Sequence, residues 1–119
     1  MKREIKFRQA RIIEGKIVWH NWGFIDGIFI SPITPDIVHD KEILFKSQQY
    51  TNLKDKHKVC IYEGDIINND SEHSSQVIWK EREAMFGITN GKYELGSYID
   101  DGDYEVIGNI YENKDLLKI

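Results

Sequence analysis

The stretch QQYTNLKDKHKVCIYEGDII, Gln48 to Ile67, puts charge, aromatic rings, the single cysteine and a Gly-Asp pair into one short span. Read as architecture, it is a loop from Thr51 to Lys58, a brief extended piece from Val59 to Tyr62, a turn at Glu63-Gly64 and a strand from Asp65 to Ile67. Nothing in it has the spacing of an amphipathic helix. Short apolar runs separated by turn residues mark sheet structure instead. Asp65 follows a glycine, where a carboxylate satisfies the N–H groups of a turn.

The same punctuation continues in both directions. Upstream, Ile5 and Phe7 alternate with Lys6 and Arg8, giving a first strand from about Glu4 to Arg11 and a turn at Glu14-Gly15. KIVWHNWGFIDGIFI follows, dense in aromatic and β-branched residues and cut into pieces at Asn21, Gly23 and Gly27. Asp26-Gly27 between FI and IFI is the clearest hairpin signal in the chain. Pro32 and Pro35 lack a backbone donor and mark a connecting loop. Residues 40 to 50 fit a short helix or a strand, with a strand through Ile43 to Lys46 favoured because no C-terminal cap follows. Downstream, strands are expected at Gln76–Lys80, Ala84–Ile88 and Tyr104–Tyr111, with turns at Glu81–Glu83, Asn90-Gly91 and Asp100–Asp103. Asn113 is placed to cap a short terminal helical turn ending in Leu116 and Leu117.

At 119 residues the chain fits one domain that buries roughly two-thirds of its unfolded surface. A subdivision is expected near the prolines, into an N-terminal sheet region, 1–39, and a barrel-like region, 40–119. Charged residues at 30% and hydrophobic residues at 40% describe a folded chain, not a disordered one. No run of ten or more residues has helical amphipathicity for a crossover helix, which favours a small antiparallel barrel or pair of sheets over βαβ architecture. The expected class is mainly β, with a small antiparallel barrel-like, SH3-like portion.

The residues that usually carry chemistry do not converge. His20, His39, His57 and His73 lie far apart and in no ligand motif, and the acids at Asp100, Asp101, Asp103 and Glu105 miss the calcium-loop spacing. Cys60 sits between Val59 and Ile61, company in which a thiol acts as a small hydrophobe. Glycine-rich phosphate loops are lacking. No catalytic residue, cofactor or metal site is therefore assigned. One cysteine and no long apolar run lead to the expectation of a cytoplasmic protein without a membrane segment.

Charge supplies one alternative. The net charge is −4, yet Met1–Lys16 carries six basic residues against two glutamates, whereas Asp70–Ile119 carries eleven acids against five bases. Lys2, Arg3, Lys6, Arg8 and Arg11 could touch phosphate, as could Lys54, Lys56 and Lys58, which alternate and would share one face if extended. Trp19, Trp22, Phe24 and Phe29, near Lys16 and His20, could provide a stacking platform for single strands. Against this stand a charge-guarded edge strand, a solvated loop, and core or subunit-interface duty for the rings.

REIKFRQ (Arg3–Gln9), the Gln48–Ile67 stretch, QVIWKE (Gln76–Glu81) and DYEVIGNIYENKDLL (Asp103–Leu117) together resemble the YopX-like proteins of phages and prophages of low-GC bacteria. The resemblance implies a mainly β protein of mobile genetic elements, with a barrel-like portion, self-association and no established activity. Asn52 stands where family members commonly have glycine, His57-Lys58 where they often have Asn-Gly, and Lys114 where a proline is frequent. GDI and GNI, Gly64–Ile66 and Gly108–Ile110, look like sheet corners. The expected structural turn residues are Gly27, Asn52, Gly64, Asp65, Gly91 and Gly108. The leading functional expectation is a non-enzymatic accessory protein that contacts itself or another phage or host protein, and the alternative is a nucleic-acid-associated module.

Overall fold

The computed structural model describes residues 3–37, 42–68, 74–89 and 104–117. Those residues form ten strands in two antiparallel sheets, and the chain divides into two compact units between Tyr50 and Thr51. The division falls later than the proline loop because residues after that loop return to the first sheet.

In the first unit, β1 (Lys6–Ile13) is the central strand. It pairs along its whole length with β2 (Lys16–Ile25), which pairs in turn with β3 (Ile28–Ile30). Two-residue turns make both hairpins. Glu14 and Gly15 have φ of 51° and 78°, and Asp26 and Gly27 have 52° and 79°, the left-handed pair whose twist matches the flanking strands. Gly23 breaks the expected pattern differently from a strand end. It stays inside β2 with φ of 101°, while the next residue, Phe24, donates its N–H to the Ile5 carbonyl at 2.9 Å. A Cβ at Gly23 would stand 2.7 Å from that carbonyl oxygen, so only glycine fits.

The other side of β1 is covered by β4 (Ile43–Leu44) and the start of β5 (Gln48–Lys54). The ambiguous 40–50 segment is thus extended where it is described, although its strand is shorter than expected. Phe45 N–H reaches the Ala10 carbonyl at 2.9 Å between the two ladders, and the register slips by one residue across Phe45–Ser47. Ser47 Oγ accepts the Trp22 indole N–H at 3.0 Å across this bulge.

The second unit begins within β5. Thr51 to Lys54 continue the strand, where a loop was expected. Asn52 does adopt the positive φ, 69°, but inside a strand and not in a turn. The Thr51 hydroxyl brackets Asn52 by donating to Ile61 O at 2.7 Å and accepting from Leu53 N–H at 3.1 Å. β5 then pairs with β6 (Cys60–Tyr62). A second sheet runs β10-β7-β8-β9, from β7 (Asp65–Asn68), β8 (Ser75–Lys80), β9 (Met85–Ile88) and β10 (Glu105–Asn109). Its order ends at β10 and β9, so the barrel-like portion does not close.

Ile61, Ile67, Val77 and Ile88 form the core of this unit, with Leu53, Phe86, Tyr104 and Val106 packed against them. β7 lies inside this sheet and is buried on both faces at Asp65, Ile66 and Ile67. A 3-10 turn, Lys114–Leu117, ends the described chain. Asn113 precedes it and its carbonyl accepts the Leu116 N–H, but its side chain turns backwards and accepts the Asn109 N–H at 3.2 Å. That side chain lies where a Cβ on Gly108 would stand, 2.6 Å from Asn113 Oδ1. Gly108 therefore serves close approach, without a positive φ. Gly91, Asn90 and Asp100–Asp103 lie outside the described residues.

Candidate contact site on the β2–β3 hairpin

The opening stretch resolves into two carboxylates that hold backbone. Asp55, buried, accepts the N–H groups of His57 (2.8 Å) and Val59 (2.9 Å) on Oδ1 and that of Val106 (3.0 Å) on Oδ2. Lys58 N–H bonds the Asp55 carbonyl, Asp55 N–H bonds Val59 O, and Lys58 has φ of 65°. This is a three-residue hairpin built on a turn followed by a left-handed residue. Lys58 thus occupies the left-handed conformation that glycine adopts most readily. Lys56 N–H adds a bond to Tyr104 O at 2.8 Å, joining the hairpin to the segment that starts β10.

Burial pushes the Asp55 carboxyl up, but the N–H groups of Val106, Val59 and His57, with the nearby His57 charge, hold it below its ordinary value. Asp65, also buried, accepts the Tyr62 N–H at 2.7 Å, as expected of a turn carboxylate. Gly64 beside it has φ of 86°, and its carbonyl receives the Ile110 N–H at 2.9 Å. GDI and GNI therefore meet as one corner. Glu63 does not share Asp65's position, being only partly buried. His57 approaches Glu105 at 3.6 Å, both well exposed. Cys60 is half-buried and in no disulfide, less enclosed than expected. Among the described residues no group of three His, Cys, Asp or Glu side chains could hold a metal ion.

The basic residues of β1 do not form one surface. Lys6 and Arg8 lie on one face of β1 and Arg11 on the other, since successive residues of a strand alternate. Lys6 Nζ sits 4.6 Å from the Tyr50 ring centre and 3.1 Å from Glu4. The Arg8 guanidinium lies 4.6 Å from the Trp19 ring centre and donates through Nε to Gln48 at 2.8 Å. Arg11 pairs with Glu42 at 3.6 Å. Arg3 is exposed and Lys2 lies outside the described residues. Lys54, Lys56 and Lys58 are exposed, but only Lys54 is in a strand, so the alternation that would align them is lost in the hairpin turn.

The rings divide as well. Trp22 stacks on Phe7 with centroids 4.2 Å apart, whereas Phe24 and Phe29 form a tilted pair at 5.4 Å and are each 54% exposed. Ile28 beside them is 67% exposed and Ile30 37%. Every residue of β3 is thus an exposed large apolar side chain on the edge of a sheet. The chain leaving β3 is held firmly. Buried Gln9 donates to Ile33 O at 3.0 Å and accepts Ile33 N–H at 2.8 Å, while His20 Nε2 bonds Ser31 O at 2.8 Å. Sequence reasoning noticed this hairpin's rings but not its exposure. The unbroken apolar run IFI, without a charged residue to guard an edge, is the signal that could have found it.

No helix among the described residues is long and apolar enough to cross a membrane. The structure defines a two-unit, all-antiparallel β protein whose most distinctive surface is an apolar edge. The YopX protein family matches residues 28–118, and the chain belongs to that family. The match begins at β3 and leaves β1, β2 and the Arg3–Gln9 motif outside it. Comparison with curated proteins finds none that matches.

Proposed function

We propose that this protein is a non-enzymatic accessory protein of a phage or prophage that works in the cytoplasm through protein contacts, first of all with further copies of itself. The observation that carries this reading is the exposed apolar strand Ile28–Ile30 with Phe24 alongside. Exposed edges of this kind are normally blunted by charge, proline or cover, because their backbone invites pairing with another chain. Here the chain leaving the apolar edge is also tethered by Gln9 and His20, which lowers the ordering entropy that a contact must overcome. The chemistry-bearing side chains support the same reading. Asp55 is engaged by three backbone N–H groups and Asp65 by that of Tyr62, structural duties within turns.

Sedimentation velocity across a concentration series from about 1 to 500 μM tests the reading. It is supported by a mass that rises with concentration and returns to the monomer value in Phe29→Lys. A monomer over the whole range contradicts it.

A further inference from the structure

Among the described residues, nothing pairs with the outer side of β3. Which backbone groups point there follows from the ladder. Partners in an antiparallel pair alternate between those that exchange two hydrogen bonds and those that exchange none. The Asp26-Gly27 turn closes on Ile25 and Ile28, the bonded pair of a two-residue hairpin. Phe24 and Phe29 are then an unbonded pair, and Phe24 confirms it by sending its N–H the other way, to Ile5 O. The N–H and C=O of Phe29 therefore project from the outer edge.

We propose that β3 pairs antiparallel with β3 of a second copy about a two-fold axis at Phe29. This rests on the self-association reading and assigns its site. Phe29 would exchange both hydrogen bonds with its own symmetry mate, and Ile28 would lie opposite the second copy's Ile30. The strand is therefore self-complementary, as a two-fold contact requires. Charge permits the pairing too. Continuing the register sets Gly27 against Ser31 and Asp26 against Pro32, so no like charges meet, in contrast to edges guarded by lysine.

Area sets the strength. Phe24 and Phe29 at 54% exposure each offer roughly 100 Å². With Ile28 and Ile30, two copies cover several hundred Å², below the roughly 1,200 Å² of a stable interface. The contact is a weak dimer, populated at tens of micromolar and above.

The test uses the full chain in a Cys60→Ser background. Phe29→Cys is treated with a short bis-maleimide beside Val18→Cys, an exposed position on β2 of the same sheet. Covalent dimer from Phe29→Cys, and little from Val18→Cys, is the expected result. Phe29→Pro is run in sedimentation. It removes the outward donor without touching the β2–β3 ladder and should abolish association while circular dichroism stays unchanged. If the native chain associates but Phe29→Cys does not cross-link and a folded Phe29→Pro still associates, the β3 site is wrong and self-association survives. If the native chain never associates, both fall.

Discussion

Replacing Asp55 by alanine is the perturbation with the largest calculable effect. The side chain is buried and accepts three backbone N–H groups, two within its own hairpin and one, Val106, on β10. Hydrogen bonds to a charged group contribute about 1.5–3 kcal/mol each, and an orphaned buried donor costs about 1–3 kcal/mol. The turn donors of His57 and Val59 can turn to water, whereas Val106 packs against the core. A net loss of about 3–5 kcal/mol follows, a large share of the roughly 5–15 kcal/mol typical of a domain. The melting temperature should fall by roughly 10–25 °C. Asp55→Asn keeps one acceptor oxygen but presents an amide N–H₂ where Val106 N–H needs an acceptor, so it should fall between the two.

The pH dependence has a definite sign. The folded Asp55 carboxyl lies below its ordinary value, so its contribution is complete above the unfolded pKa of about 3.9 and fades as pH drops through the folded value. Wild type should therefore lose more stability on acidification than Asp55→Asn, which carries no such proton site. Thermal melts by circular dichroism at neutral pH and in steps below about pH 5 measure both effects. The reasoning fails if Asp55→Ala melts within about 2 °C of wild type, or if wild type and Asp55→Asn lose stability in parallel.

Three further outcomes follow. Gly23→Ala forces a Cβ against the Ile5 carbonyl at a φ of 101° and should cost about 2–4 kcal/mol in urea unfolding, and an unchanged midpoint would refute the close approach to Ile5. Gln9→Ala removes both bonds to Ile33 and should cost about 1.5–3 kcal/mol with faster hydrogen exchange at the Ile33 amide; unchanged exchange would mean that the segment after β3 is held by something else. Fluorescence anisotropy with single- and double-stranded oligonucleotides at low salt should show no binding at tens of micromolar protein, because Lys6, Arg8 and Arg11 are split between two faces and already engaged; tight binding that weakens steeply with salt would contradict this.

What the sequence disclosed was mostly local. Asp26-Gly27 and Glu14-Gly15 each determine their own turn through two residues, and Asp65 declares its role by following Gly64. The IFI strand was equally legible, as was the terminal helical turn. Features that depend on distant partners were not. Asn52 announced a positive φ, but whether it sat in a turn or inside a strand depended on Thr51 reaching Ile61. Gly23 read as an interruption, because its need for space comes from Ile5, across the ladder. Lys54, Lys56 and Lys58 alternate only on paper, since Asp55 pulls the chain between them into a hairpin. The apolar edge escaped for a related reason. Phe24, Ile28 and Phe29 have the composition of core residues; the unguarded IFI run is the one hint of an edge, and the sheet order shows that nothing described covers it.

Amide spectra recorded across a dilution series address the central claim without a mutation. A ¹H–¹⁵N correlation from micromolar to near-millimolar protein should show concentration-dependent shifts confined to residues 24–31, with the Phe29 amide gaining exchange protection as the dimer fills. Shifts clustered elsewhere, such as around Trp79 to Glu83, or a Phe29 amide whose exchange ignores concentration, would contradict the account.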